Sequence, residues 1–239
     1  MESGGAGAAR PMSIDPSRLP LDRGFDDRVR GEPLAPEQLT PAAVRQRFLR
    51  PGAWTPELRS DAPPPLEPAE GPKPAAVLVP LVRHDDELSV LLTRRSRHLQ
   101  AHAGQISFPG GRIEPSDRGP VDAALREACE ETGLPIERIQ ILGTLPIYLT
   151  VTRFEVTPVV GMIAAPIDLR LHAGEVEDAF EVPLSFLMDP RNHQRRVATT
   201  AGESRFVYTM PYDDGLRERM IWGVTAAILR NLYGFLRGN

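Results

Sequence analysis

Residues 110–134 read GGRIEPSDRGPVDAALREACEETGL, and the second half of this segment predicts a helix. The helix extends over Pro120–Thr132 and ends at Gly133, a residue type that commonly forms the C-terminal cap. One face carries three carboxylates, because their positions are spaced i, i+3 and i+4: Glu127, Glu130 and Glu131. A different face carries residues that can pack inward: Val121, Leu125, Ala128 and Thr132.

The acidic face has two interpretations. Like charges at helical spacing repel one another, so a cluster held against that cost suggests a divalent cation. Hard cations such as Mg²⁺ bind carboxylate oxygens and leave coordination positions for substrate phosphates. The alternative is a solvated acidic surface. The three carboxylates alone favour that alternative, because adjacent glutamates are common on exposed helices.

The residues around the helix favour metal binding. Phe108-Pro109-Gly110-Gly111 precedes it, and glycines let backbone groups approach a ligand or a metal closely. Arg126 adjoins Glu127 and can fix the orientation of a carboxylate by a bidentate contact. Cys129 lies off the carboxylate face, where we expect a packed small residue rather than a nucleophile.

Together these residues resemble the Nudix box. Its pattern is Gly, five residues, Glu, seven residues, Arg-Glu, an apolar residue, any residue, Glu-Glu, any residue, Gly and an apolar residue. The second half matches in order: Arg126, Glu127, Ala128, Glu130, Glu131, Gly133 and Leu134. In the first half, Asp117 stands six positions after Gly111 where the pattern has Glu, and eight residues separate it from Arg126. The resemblance leaves the role of Asp117 open.

A second resemblance is to the coenzyme A pyrophosphatase branch of the same family. It rests on Leu91-Leu92-Thr93-Arg94-Arg95-Ser96, then Leu99, His102, Gly104, Gln105 and the Phe-Pro-Gly-Gly sequence. The aspartate and the longer loop are also usual in that branch. Gln100 differs, because the branch commonly has Arg at this position.

The resemblance implies an α/β fold of the Nudix type, with a mixed β-sheet between helices. It implies hydrolysis of coenzyme A, or of an acyl derivative, to adenosine 3′,5′-bisphosphate and 4′-phosphopantetheine, with Mg²⁺ or Mn²⁺ as cofactor. The expected metal ligands are Glu127 and Glu131. Glu130 is expected as a third ligand or general base, and Arg126 orients the carboxylates. Glu175, expected in a loop before a short helix, is a further candidate base or ligand, with surface charge as its alternative.

Basic residues precede the glycines, and the strand that ends in Arg94-Arg95 leads directly to them. We therefore expect these cations near the adenosine side of the cleft, since Arg suits a diphosphate and a 3′-phosphate. The alternative is an exposed strand end with solvated charge. The expected substrate-binding residues are Arg94, Arg95, His102, Gly110 and Gly111. Of these, His102 suits a structural hydrogen bond better than catalysis.

Two other functions stay open. One is the same chemistry on ADP-ribose, a dinucleoside polyphosphate or another nucleoside diphosphate conjugate. The basic residues before the glycines make it less favoured. The other is a non-catalytic Nudix-fold module that binds nucleotides. Such a module would be expected to have lost helix carboxylates, and all three are present.

Composition limits the remaining possibilities. A chain of 239 residues with 41% hydrophobic and 25% charged residues is typical of a soluble globular protein. Its net charge of −4 disfavours general nucleic-acid binding. There is one cysteine, and neither a membrane span nor a secretory signal is apparent, so we expect a cytoplasmic protein. The sequence leaves open whether the protein is a monomer or a homodimer.

The chain divides into two predicted parts. Residues 1–73 are a polar, Pro-rich N-terminal extension with one short helix near 41–49, and residues 74–239 are the Nudix domain. Residues 1–35 lack core-forming periodicity, so few contacts should depend on them. The domain is predicted to contain strands at 76–82, 87–93, 139–145 and 154–163, a hairpin with strands at 197–199 and 206–208, and a second long helix at 216–236.

Overall fold

The computed structural model describes residues 15–61, 71–99, 102–200 and 203–238, so Gln100 lies outside the described residues. The centre of the fold is β1 (Lys73–His84), which includes the predicted strand 76–82. Successive side chains of a strand point to opposite faces. Leu78 and Val82 accordingly belong to one core cluster, and Val79 and Leu81 belong to the other. A sheet buried on both faces needs a covering layer on each side.

Within the described residues, the main sheet is mixed and has eight strands. On one side, β1 pairs in parallel with β7 (Phe154–Ala164). On the other side, its first half pairs with β4 (Gly110–Arg112) and its second half with β2 (Glu87–Arg95), both antiparallel. The sheet continues through four more strands: β3 (Ile106–Ser107) and β8 (Val176–Pro183) on β2, and β5 (Gln140–Thr144) and β6 (Tyr148–Leu149) on β7. Dividing one edge of β1 in this way inserts the glycines of β4 into the sheet.

Helices cover both faces of this sheet, and the predicted α/β architecture is confirmed. On one face, α3 (Pro120–Thr132) packs the small side chains of Ala123, Ala124 and Ala128 against the cluster that contains Leu78. On the other face, α5 (Gly223–Arg237) is buried along most of its length. The short α4 (Leu184–Leu187) follows β8. None of the helices in the described ranges has both the length and the apolar character needed to cross a membrane.

A second, antiparallel sheet contains β9 (Gln194–Thr200), β10 (Glu203–Asp213) and β11 (Glu218–Trp222). The predicted hairpin is confirmed, although its strands are longer than expected. The prediction of a helix over 216–236 is wrong at its start, because residues 218–222 pair with β10. The helix begins at Gly223, whose φ of 62° suits glycine and allows the turn from strand to helix.

The segment before β1 is folded onto the domain. It contains α1 (Asp27–Arg30) and the predicted helix α2 (Pro41–Leu49), whose cap residue Thr40 accepts a hydrogen bond from the Ala43 N–H (3.2 Å). Phe25 and Leu34 are buried in the same core cluster as α5. The expectation that few contacts depend on residues 1–35 is therefore wrong for residues 15–35. The division between residues 73 and 74 stays a prediction.

Candidate active site

The glycines of β4 lie directly against the carboxylate helix. A Cβ added at Gly110 would lie 2.5 Å from the Ala76 carbonyl oxygen and 2.6 Å from Val77 Cα. A Cβ added at Gly111 would overlap the Glu127 carboxylate. Non-bonded contacts this short are strongly repulsive, so both positions exclude a side chain. The glycines therefore bring a strand backbone and a carboxylate into direct contact.

Arg126 connects the acidic groups. Its guanidinium makes five hydrogen bonds, which uses every N–H it has. Nε and Nη2 donate to the two oxygens of Asp117 (3.0 and 2.9 Å), and Nη2 also donates to the Arg112 carbonyl oxygen (3.1 Å). Nη1 donates to Glu127 Oε1 (3.0 Å) and Glu130 Oε2 (3.2 Å). The bidentate contact that we expected with a helix carboxylate is made with Asp117 instead.

Asp117 thus has a defined position in spite of its departure from the Nudix pattern. Its hydrogen bonds from the Arg126 guanidinium, together with one from the Glu114 N–H (2.7 Å), hold the pKa of this carboxyl below its usual value. An aspartate side chain is one methylene shorter than glutamate, and the loop is one residue longer. The longer loop allows the shorter side chain to reach Arg126.

Glu131 is the most buried of the three helix carboxylates, with 3% of its surface exposed. Its Oε2 accepts a long hydrogen bond from the Gly110 N–H (3.3 Å), and its Oε1 lies 3.7 Å from Arg95 Nη1. Burial outweighs these contacts and raises the pKa of Glu131 to about 7. Burial also raises the pKa of Glu127, against the hydrogen bond from Arg126. Both residues are carboxylates whose negative charge the protein only partly compensates.

Glu130 and Glu175 are more accessible, with 60% and 47% of their side chains exposed. Glu175 lies immediately before β8 and not before a short helix, so that part of the prediction is wrong. The loop that carries it is held beside the acidic helix, because the His172 N–H donates to the Glu131 carbonyl oxygen (2.9 Å). The negative charge of Glu175 helps to raise the pKa values of Glu127 and Glu131. The structure therefore brings Glu175 into the same acidic group.

Cys129 also lies on this helix. Its side chain is exposed, so the expectation that it is packed is wrong. It follows Ala128, which is buried against the sheet, and precedes the exposed Glu130.

The acidic face fits a divalent cation, although its carboxylates do not provide a complete set of metal ligands. Across the described residues, no three His, Cys, Asp or Glu side chains are grouped as a complete metal site. Mg²⁺ does not require such a group, because one or two carboxylates usually hold it together with water and substrate phosphates. A cation would stabilise the buried, partly compensated charge of Glu131, and Glu127 offers a second oxygen donor beside Gly111.

A cleft of about 380 Å³ is lined by the same glycines. Arg95 and His102, two of the expected substrate-binding residues, also line it. Arg95 Nε is buried and has no hydrogen-bond partner within the described structure. His102 Nδ1 lies 2.9 Å from Gln105 Oε1, which is the structural contact that we expected for this residue.

Arg94 lies apart from these residues, because consecutive strand residues point to opposite faces. It lines a second cavity of about 300 Å³ together with Arg217 and Arg219, and with the acidic residues Asp15 and Glu218. Its guanidinium is 3.8 Å from Glu177 Oε2, a loose ion pair. The two cavities are neighbours, since Gln105, Ile106 and Trp222 line both.

Sequence reasoning missed several residues of the cleft, among them Asp61, Phe154, Trp222 and Thr225. Trp222 and Thr225 lie at the junction of β11 and α5, which the sequence predicted as one continuous helix. Asp61 belongs to the Pro-rich segment before β1, where no local pattern indicated a site.

Comparison with known proteins covers the glycines, the carboxylate helix and the loop of Glu175. The family model described as NUDIX domain matches residues 72–197, which include β4, α3 and Glu175. The Nudix hydrolase NudL of Pectobacterium atrosepticum is 41% identical over 170 residues, covering 71% of this chain and 86% of that protein. NudL of Escherichia coli K12 is 39% identical over 158 residues, covering 66% of this chain and 80% of that protein.

Solved structures with a similar fold include RenU, a Nudix hydrolase of M. smegmatis. It is 24% identical with a TM-score of 0.42, over 48% of this chain and 72% of that chain. A C. elegans Ap4A hydrolase is 23% identical with a TM-score of 0.39, over 46% of this chain and 80% of that chain.

Proposed function

Since the chain belongs to the Nudix hydrolase family, we propose that it cleaves the diphosphate bond of coenzyme A or of an acyl derivative. The products are adenosine 3′,5′-bisphosphate and 4′-phosphopantetheine. Nudix hydrolases generally use divalent metal ions such as Mg²⁺ or Mn²⁺. The family accounts for hydrolysis, and the choice of substrate is the part that we propose.

The position of Arg95 is the observation that carries the proposal. Arg95 lines the cleft beside Gly110 and Gly111, and it also lies 3.7 Å from the buried carboxylate of Glu131. A buried N–H without a partner costs about 1–3 kcal/mol, and Arg95 Nε is such a group. An anionic group at the glycines would accept this hydrogen bond and remove the cost. A diphosphate bound there would lie between Arg95 and the acidic helix.

In this proposal Glu127 and Glu131 hold the metal ion, with Glu130 as a third ligand or as the general base. The bound ion would neutralise the diphosphate and lower the pKa of a water molecule. Arg126 offsets the negative charge of Glu127 and Glu130, which would otherwise repel the substrate. Glu130 and Glu175 are the exposed carboxylates, so they are the two candidates for accepting the proton of the water that attacks phosphorus.

The 3′-phosphate is assigned to the second cavity. Arg94 and Arg217 line it, and their ion pairs with Glu177 and Asp178 are long, at 3.8 and 3.7 Å. Because such long ion pairs are weak, these arginine side chains can reorient toward a phosphate at a small cost in free energy. Both arginines were expected near the adenosine side of the cleft, and this assignment gives each a separate role: Arg95 would bind the diphosphate, and Arg94 would bind the 3′-phosphate.

Steady-state kinetics on coenzyme A, dephospho-coenzyme A and ADP-ribose, with Mg²⁺ or Mn²⁺ and products identified by mass, test the proposal. We expect the highest kcat/KM for coenzyme A, about 10- to 100-fold above the dephospho form, because one charge-assisted contact contributes about 1.5–3 kcal/mol. Arg94→Ala should reduce that ratio, and Arg23→Ala, at an exposed position, should not. Preference for ADP-ribose would contradict coenzyme A as the substrate but would still agree with hydrolysis of a diphosphate bond. No hydrolysis of any compound would favour a non-catalytic binding module.

A further inference from the structure

Asp61 lines the substrate cleft, although the segment that carries it, residues 58–61, precedes β1. The Leu149 N–H donates to the Arg59 carbonyl oxygen (3.0 Å), and the Asp61 N–H donates to the Leu149 carbonyl oxygen (3.2 Å). Asn231 of α5 exchanges two hydrogen bonds with the backbone of Leu58 (3.0 and 2.6 Å). The segment is thus attached both to the main sheet and to α5, and this fixes the position of Asp61.

The carboxylate of Asp61 is part of the cleft lining. Its Oδ1 accepts a hydrogen bond from the Val151 N–H (2.8 Å), beside Thr150, Thr152 and Phe154 of the same lining. Burial raises the pKa of Asp61 above its usual value, more than that hydrogen bond lowers it. A donor from a bound ligand would stabilise this carboxylate.

The two cavities that meet at Trp222 differ in how much of their lining is charged, because charged residues are a larger part of the second lining than of the first. Much of the first cleft is apolar, and Val77, Phe108, Val156, Val224 and Ile228 contribute the apolar surface. Its charged lining residues are Arg95, Arg112 and Asp61, so Asp61 is the acidic group within a largely apolar lining. The second cavity has three arginines against two acidic residues. A substrate with one charged arm and one uncharged arm matches this division.

We propose that Asp61 is a specificity-determining residue that accepts a hydrogen bond from an amide N–H or hydroxyl of the uncharged arm of the substrate and repels a phosphorylated arm. The inference rests on the proposed function. In coenzyme A, the pantetheine arm carries amide and hydroxyl donors, and the other arm carries the 3′-phosphate. The pantetheine arm therefore occupies the cleft, and the phosphorylated ribose lies on the arginine side.

The test compares the full chain with Asp61→Asn, which keeps an oxygen to accept from Val151 and removes the charge. The matched control is Asp86→Asn in the exposed hairpin between β1 and β2. Kinetics on coenzyme A, dephospho-coenzyme A and ADP-ribose separate KM from kcat, and thermal melts verify folding. For the best substrate, we expect Asp61→Asn to raise KM about tenfold with kcat within threefold, and Asp86→Asn to match the unaltered chain. The ratio of coenzyme A to dephospho-coenzyme A should not change.

Each other result counts against the proposal in a distinct way. An unchanged KM in Asp61→Asn overturns the role of Asp61, whatever substrate is best. A selective gain for coenzyme A over its dephospho form overturns the orientation, because it would place the 3′-phosphate beside residue 61. Preference of the unaltered chain for ADP-ribose would contradict only the assignment of coenzyme A as substrate. The role of Asp61 would then be tested by comparing the KM for ADP-ribose of the unaltered chain and of Asp61→Asn. If nothing is hydrolysed, calorimetric titration of the same compounds without metal replaces KM. Equal affinity in both chains, or no binding, then overturns the proposal.

Discussion

The guanidinium of Arg126 donates to Asp117, Arg112, Glu127 and Glu130, and it leaves Glu131 without an arginine hydrogen bond. A lysine has no planar group with which to hold two carboxylate oxygens, so the geometry is specific to arginine. Glu131 is also the most buried of the three helix carboxylates. It is therefore the residue at which a bound cation would compensate the most unfavourable charge.

Glu131→Gln and Glu127→Gln should each lower kcat/KM by about 10²-fold or more, because each removes a charged ligand. Without metal, the Tm of Glu131→Gln should stay the same or rise, since burying an amide costs less than burying a carboxylate. Adding Mn²⁺ should raise the Tm of the unaltered chain more than that of either variant. Glu137→Gln, at an exposed position, is the control. Near-normal turnover in one variant would remove that residue from the ligand set.

At the scale of elements, the site depends on how closely β4 approaches α3. The strand is inserted beside the first half of β1, and Gly111 meets the Glu127 carboxylate there. A side chain at position 111 would overlap that carboxylate. The position of the Glu127 carboxylate, a proposed metal ligand, is thus set by the backbone of a strand that contains only three residues.

Gly111→Ala should displace the Glu127 carboxylate and lower kcat/KM by about 10²-fold, because a shift on the order of 1 Å is enough to misplace a reacting group. Gly234→Ala is a matched control in α5, where an added Cβ would meet nothing within 4 Å. It should raise the free energy of unfolding by about 0.5–1 kcal/mol and leave kinetics unchanged. Urea unfolding and steady-state assays of both variants check this. Full activity in Gly111→Ala would show that the contact tolerates displacement.

The sequence predicted those elements whose signal is local. Glu127, Glu130 and Glu131 share a face because of their spacing, and β1, β2, β5 and β7 each contain several neighbouring apolar residues. The sequence does not indicate β8, and it predicts a helix over β11 because residues 218–222 continue into the apolar pattern of α5. Asp61 could not be found in this way, since its position depends on pairing with Leu149, which lies 88 residues away in the sequence (149 − 61).

The whole molecule includes the segment before β1 in its core. Phe25 is 3% exposed and packs edge-on against Tyr208, with the guanidinium groups of Arg195 and Arg230 at 4.8 and 5.6 Å from its ring centroid. The carbonyl oxygens of Arg30 and Glu32 accept hydrogen bonds from Arg230 Nη1 (2.8 Å) and the Tyr233 hydroxyl (2.6 Å) of α5. Residues 15–35 therefore provide contacts that stabilise α5.

Phe25→Ala should lower the free energy of unfolding by about 3–5 kcal/mol, the cost of deleting a buried aromatic ring. Leu21→Ala is the control, because Leu21 is 55% exposed and its replacement should cost at most about 0.5 kcal/mol. A chain that starts at Pro36 loses Phe25, Leu34 and both carbonyl acceptors, and it should be less stable than Phe25→Ala. Urea unfolding curves of Phe25→Ala, Leu21→Ala and the shortened chain measure the three free energies of unfolding. Equal stability of Phe25→Ala and Leu21→Ala would mean that this segment contributes little to the fold.

Because His193 is buried in this core, we expect the free energy of unfolding to depend on pH. The ring is fully buried between the Leu187 carbonyl oxygen (2.7 Å from Nε2) and Arg230 Nη1 (3.3 Å from Nδ1). The carbonyl can only accept and the guanidinium can only donate, so Nε2 carries the proton and the ring is neutral. Arg30 and Asp189 are the other charged groups that act on it, with opposite effects on its pKa.

Burial lowers the pKa of His193 to about 4 from an ordinary value of 6.5. Between these values the unfolded chain binds the proton and the folded chain does not, so the free energy of unfolding should fall as pH drops from about 6.5 to about 4. The slope is at most about 1.4 kcal/mol per pH unit. His193→Gln removes this dependence, so urea unfolding at pH 7, 6 and 5 should show its stability deficit shrinking as pH falls. His98→Gln, at an exposed ring, controls for the loss of one histidine. A deficit that stays constant with pH would mean that His193 is protonated in the folded protein, which would require Arg230 to move away from Nδ1.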